Sequence, residues 1–127
     1  MISELEGLGT VMVKLALDAA GLRHQAIAQN LANLHSESYV PLAVTFESQL
    51  SSMRRELASA TGERRVRAIV AAAPQLVEQP ERGVGPKDMD VEMVALSQNT
   101  IHYQALLKAI GRQLAMLADV MSEGRRQ

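Results

Sequence analysis

Alternate strides of three and four residues from Met93 land on Met93, Leu96, Thr100, Tyr103, Leu107, Ile110, Leu114, Leu117 and Met121. Only Thr100 interrupts the apolar row, counting the tyrosine as apolar. A row of about four heptads at this 3.5-residue spacing is the seam of a coiled coil, which commits this end of the chain to a long helix with a partner. Asp88 and Asp90 stand where an N-cap and a partner for the helix dipole belong. Gly124, followed by Arg125 and Arg126, is a stop signal. The spacing therefore predicts a helix over about 89–123.

The other end follows the same rule. Leu17, Ala20, His24, Ile27, Leu31 and Leu34 form one row, and Leu8, Val11, Leu15, Ala19, Leu22 and Ala26 form its neighbour. Two adjacent rows make an apolar face broader than a two-helix seam requires, so this helix has surface for its own partner and for a neighbouring subunit. Gly21 interrupts it at a cost of about 1 kcal/mol relative to alanine. The helix is expected to end near Leu34, before the cap- and turn-favouring His35-Ser36-Glu37-Ser38. Amphipathic helices draw most of their stability from burying the apolar face, so the two ends are expected to pair. The sequence holds only three aromatics, Tyr39, Phe46 and Tyr103, and its apolar residues are those of helices packed side by side. The fold class expected is all-α: long N- and C-terminal helices paired as an antiparallel coiled coil, around an extended or partly irregular middle. The divisions are 1–36, 37–88 and 89–127.

The middle differs in charge and composition. Residues 51–87 carry seven basic and four acidic side chains, against two and five in 1–50 and four and five in 88–127. Pro74, Pro80 and Pro86 lie here. Pro41 pushes Val40 toward an extended shape, so 39–44 should leave the first helix extended. Phe46, Leu50, Met53 and Leu57 return to helical spacing, with Thr45 as a cap, over about 46–59. Val66, Ala68, Val70 and Ala72 alternate as in a short strand or arm, while Ala71-Ala72-Ala73-Pro74 reads equally as a terminating turn.

Little chemistry is on offer. Without cysteine there is no disulfide, thiolate metal site or cysteine nucleophile. His24, His35 and His102 match no metal motif, and no cofactor is expected. His35-Ser36-Glu37-Ser38 places acid, base and nucleophile side by side, but a triad is assembled by the fold rather than by adjacency. An enzyme is not expected. Arg64-Arg65-Val66-Arg67 lacks interleaved aromatics and is flanked by Glu63, which favours a solvated or inter-subunit patch over phosphate binding. The net charge of −1 argues against nucleic acid. With no run of 18 apolar residues, no membrane insertion is expected. Met1-Ile2-Ser3-Glu4-Leu5-Glu6 is acidic and lacks the basic start of a cleaved signal peptide.

Asn30 and Asn33 fall just before the end of the first helix. A frayed, capped terminus accommodates one asparagine and leaves the second without a reason. With Leu31, Ala32, Ser36 and Tyr39 they form a string that resembles the N-terminal signature of bacterial flagellar rod and hook proteins, N-(L/I)-A-N-x-x-T-x-G-Y. Ser36 stands for threonine, Ser38 for the usual glycine and Val40 for a basic residue. The continuation through Phe46 to Leu50, the segment Asp90-Val91-Glu92-Met93, and Asn99, Tyr103 and Gln104 in an N-x-x-x-Y-Q pattern are similar to the short proximal-rod members of that family. The likeness covers about 8–50 and 88–122. It implies a non-enzymatic subunit that passes the flagellar export channel without a cleaved signal and assembles helically across the periplasm with its own copies and other rod proteins. It also implies contact with the adapter at the membrane ring. Asn30, Asn33, Ser36, Tyr39, Phe46, Asn99, Tyr103 and Gln104 would be its assembly motif. Leu17, Ile27, Leu31, Leu34, Met93, Leu96, Leu107, Ile110, Leu114 and Leu117 would form the seam between the paired ends. A reading from a different class is a helical adaptor that binds a partner helix or an acidic surface.

Overall fold

The computed structural model describes the backbone of residues 2–126 and the side chains from Gly7 to Arg126. The side chains of the acidic Met1–Glu6 segment lie outside the described residues. Helix α1 runs Ile2–Ala32, strand β1 Leu42–Thr45, helix α2 Glu47–Leu57, helix α3 Glu63–Ala71 and strand β2 Gln75–Glu78. After a single 3₁₀ turn at Pro86–Asp88, helix α4 runs Met89–Gly124. The protein is mostly helical, with one small two-stranded sheet.

Helices α1 and α4 pack along each other. Ala19 and Ala20 are fully buried, and their small side chains let the helix backbones approach closely. The Asn99 amide uses that approach, donating to the Ala20 carbonyl at 2.8 Å. Further along, Gly9 lies beside Gln113.

The rest of the broad α1 face is covered by the chain's own middle. Strands β1 and β2 pair antiparallel, with Leu42 opposite Glu78 and Thr45 opposite Gln75, and both lie on α1. An isolated two-stranded sheet is marginal in water, so this one depends on the helix beneath it. Met53 of α2, Ala68 of α3 and Ala72 just past the end of α3 form a small buried cluster, against which Met12 and Leu15 of α1 pack. Gly62 makes the turn into α3 at φ +59°, a left-handed conformation that costs glycine no Cβ clash.

Residues 66–72, where alternation admitted a strand, are helical up to Ala71. Their apolar residues satisfy both periods. Burial decides for the helix, because Ala68 and Ala72, one turn apart, are the pair driven inside. The alanine run before Pro74 ends the helix, with Ala72 and Ala73 N–H bonded back to the Ile69 and Val70 carbonyls. Thr45 does not cap α2 with its side chain; its hydroxyl accepts from the Gln49 amide at 3.2 Å. Asp88 likewise bonds backwards, accepting from the Gly85 N–H at 2.9 Å, which closes the turn that launches α4.

Candidate functional site

The point where the chain leaves α1 is organised by Asn30, which is only 1% exposed. Its amide Nδ2 donates to the Leu42 carbonyl at 3.0 Å, and its Oδ1 accepts from the Leu42 N–H at 2.9 Å. A side-chain amide thus acts as a strand-like partner on the open side of β1. On the other side, the Pro41 carbonyl accepts from the Gln79 N–H at 2.8 Å. Strand β1 is thus bonded on both sides at this level.

Tyr39 completes the arrangement. Its hydroxyl donates to Asn30 Oδ1 at 2.9 Å. Burial, and secondarily the Glu92 carboxylate, push the Tyr39 hydroxyl above its ordinary value, which keeps it protonated as a donor. Glu92 is buried on α4 and paired with the Arg82 guanidinium. The Glu92 carboxylate on α4 thus acts electrostatically on the tyrosine at the exit from α1. Replacing Tyr39 with Phe should lower stability by about 1 kcal/mol at neutral pH, the usual worth of one such hydrogen bond. The sign of the pH dependence follows from the raised value. The tyrosine's contribution is full below pH 10, the ordinary value, and is lost as pH rises through the folded-state value. Urea unfolding from neutral to alkaline pH should show the gap between Tyr39→Phe and the native chain narrowing.

The other members of the signature act locally. Asn33 Nδ2 donates to the Gln29 carbonyl at 2.8 Å, a second bond to an oxygen that already accepts from the Asn33 N–H at 3.1 Å. The Ser36 carbonyl accepts from the Tyr39 N–H at 3.2 Å, making the turn that brings the tyrosine back. Among the described residues the only positive φ angles are at Gly62 and Gly83, so the serine at 38 suffers no left-handed strain. Phe46 is buried at the start of α2. Tyr103 is partly exposed and lines an open groove of about 300 Å³ with Ala20, Gly21, His24, Asn99 and Thr100. Gln104 is exposed.

The named seam residues separate into two sets. Leu17, Ile27, Leu31, Leu96 and Ile110 are half-buried and Leu34 is buried, whereas Met93, Leu107, Leu114 and Leu117 are exposed in the single chain. The covered row on α4 is Glu92, Leu96, Asn99, Leu106, Ile110 and Gln113. Leu96 and Ile110 belong to both rows, whereas Met93, Thr100, Leu107 and Leu114 each stand one position beyond a covered residue and so lie on the flank. Glu92 and Arg82 were missed because a count of apolar positions passes over a row whose inward members include Glu92, Asn99 and Gln113.

Among the described residues, no group of three or more His, Asp or Glu could hold a metal ion, and no helix is long and apolar enough to cross a membrane. No family model matches the chain. It is similar to the flagellar basal body rod protein FlgB of Bacillus subtilis (strain 168), with 30% identity over 127 residues, 92% of this chain and 96% of that protein. It is also similar to the flagellar basal body rod protein FlgB of Yersinia enterocolitica, with 27% identity over 123 residues, 86% of this chain and 90% of that protein. With near-complete coverage at that identity, the chain belongs to the FlgB family of flagellar basal body rod proteins, and it is a structural rod protein, not an enzyme.

Proposed function

We propose that this chain is a subunit of the proximal rod, assembling helically with its own copies and with other rod proteins, around the export channel and across the periplasm, to transmit torque. The adapter at the membrane ring is its partner at the base. In this reading α1 and α4 pair as an antiparallel coiled coil and form the inner layer. The contacts of Asn99 with Ala20 and of Gln113 with Gly9, which run in opposite chain order, support that pairing. The cluster of Asn30, Tyr39 and Leu42 sets where the chain leaves the layer. The subunit travels unfolded through the flagellar export apparatus and keeps its N-terminus.

The observation that carries this reading is the apolar surface left on α4. Met93, Val94, Ile101, Leu107, Leu114 and Leu117 are all exposed on one helix, far more than a free-standing helix pair needs. Val94 and Ile101 stand on one side of the helix and Leu107 and Leu114 on another, so more than one face is left for neighbours. Faces that differ from one another give head-to-tail contacts, which propagate as a helix where the rotation between copies does not close a ring.

Deletion of the gene in its host, followed by electron microscopy of purified basal bodies, tests the proposal. The expected result is rings without a rod, with swimming lost and restored by the intact gene. Normal rods and normal swimming would contradict it and favour the adaptor.

A further inference from the structure

Gly21 lies inside α1, where glycine weakens a helix relative to alanine. A Cβ there would meet nothing within 4 Å, so no crowding inside the chain calls for the glycine. The space over it is a pair of open grooves that share Gly21 and Tyr103. One, of about 300 Å³, is bordered also by His24 and Asn99. The other, of about 530 Å³, is bordered also by Asp18 and Pro74. Asn99 is only 7% exposed. Its Nδ2 donates to the Ala20 carbonyl, which identifies the other end of the amide as the oxygen. That Oδ1 has no partner among the described residues, yet it is not sealed in as the unpartnered Oε1 atoms of Gln49 and Gln113 are. The groove is the opening beside it. Asp18 is exposed and has no ion-pair partner among the described residues. Tyr103 is 39% exposed.

These groups suit one kind of side chain. An amide oxygen and a carboxylate both accept from a cation, and a tyrosine ring takes a guanidinium against its face. Arginine combines planar stacking with several donors, and a glycine floor lets it lie against the helix backbone. The charge balance points to its source. Residues 1–50, which hold the groove's carboxylate, carry five acidic and two basic side chains, whereas 51–87 carry seven basic and four acidic. Arg54, Arg55, Arg64, Arg65 and Arg67 supply most of that excess, and Arg54 and Arg64 are exposed without an ion pair among the described residues. We propose that the groove over Gly21 receives an arginine from the stretch 54–67 of a second copy, which stacks on Tyr103, donates to Asn99 Oδ1 and is held by the charge of Asp18. The inference rests on the rod reading and adds a contact between copies. Arginine stretch and groove are different surfaces of one chain, so the contact is heterologous.

Two variants fill or reverse the groove from positions that the isolated chain leaves free. Gly21→Leu and Asp18→Arg should each keep the helix content of the purified chain. Each should cut its incorporation into basal bodies about tenfold or more, the effect of losing one anchoring contact. Normal incorporation of either variant would overturn the contact. Should Gly21→Leu lose helix content, Asp18→Arg decides, because its side chain is exposed. The occupant is identified by charge exchange. Asp18→Arg is combined in turn with Arg54→Asp, Arg55→Asp, Arg64→Asp, Arg65→Asp and Arg67→Asp, and one combination should restore swimming to within about twofold of native. The absence of cysteine from the chain gives a second readout. Asp18→Cys, paired with cysteine at the rescuing arginine and treated with a short bis-maleimide in isolated basal bodies, should give dimers and higher multiples, and each single variant only monomer. Failure of every exchange, or linkage only to a different rod protein, would overturn the second copy as occupant and leave the rod reading intact. Absence of the native chain from basal bodies would overturn the rod reading itself.

Discussion

Asn30→Ala is expected to abolish swimming when it replaces the native gene, and to remove the chain from isolated basal bodies. The alanine leaves the Leu42 N–H and carbonyl without their partner and takes the acceptor from the Tyr39 hydroxyl. Each polar group left unsatisfied on burial costs about 1–3 kcal/mol. A combined loss of about 3 kcal/mol is a large share of the roughly 5–15 kcal/mol that holds a domain together. The site has no room for a compromise, because Asn30 is buried and its one amide group serves both the strand and the tyrosine. Asn30→Asp should fail similarly, since a carboxylate would face the Leu42 carbonyl and sit buried without a cation. Asn33→Ala is the control. Its amide bonds only to Gln29, one turn back in the same helix and accessible to solvent, so its loss should cost about 1 kcal/mol or less. Swimming by the Asn30 variants equal to that of Asn33→Ala would show that the two asparagines are equivalent and that the Leu42 anchor does not matter.

The second large effect separates folding from assembly on one helix. Ile110→Asp should unfold the packing of α1 on α4, because Ile110 is half-buried on the covered row and the new carboxylate has no partner. A cost of about 3 kcal/mol is expected from an unpaired charge placed in such a contact. Leu107→Asp, three residues away, should leave the isolated chain as helical as before, since Leu107 is exposed and surface changes cost about 0.5 kcal/mol or less. It should nonetheless stop swimming, because in the proposed rod that side chain belongs to the surface that neighbouring subunits cover. Circular dichroism of the purified chains, paired with motility of the complemented strains, distinguishes the two. Normal swimming by Leu107→Asp would mean that this part of α4 faces solvent in the rod.

What the residues reveal on their own depends on whether the information is local. The long helices are legible because each repeats an apolar stride for many turns, and Asp88 and Gly124 bracket the second helix within a residue or so. The face that α4 turns to α1 is less legible. The best apolar row and the covered row differ at alternate positions, where Glu92, Asn99, Leu106 and Gln113 replace Met93, Thr100, Leu107 and Leu114. Buried polar residues look like surface ones until a partner is found. The role of Asn30 was hidden for a related reason. Its partner is the backbone of Leu42, twelve residues on, and a backbone amide leaves no letter in the sequence. The oddity of two asparagines at a helix end was visible; which of them was the anchor was not. The segment 66–72 was ambiguous because Val, Ala and Arg there fit periods of both two and 3.6, and the strand at Gln75–Glu78 exists through pairing with a segment thirty residues earlier.

The most direct measurement is a cryo-electron-microscopy map of the intact basal body, at a resolution that traces side chains in the proximal rod. The expected result is this chain present in the rod, α1 paired with α4 in opposite directions in the layer around the channel, and Met93, Leu107 and Leu114 buried against neighbouring subunits. A rod built without this chain, or containing it with those residues facing open solvent, would contradict the account.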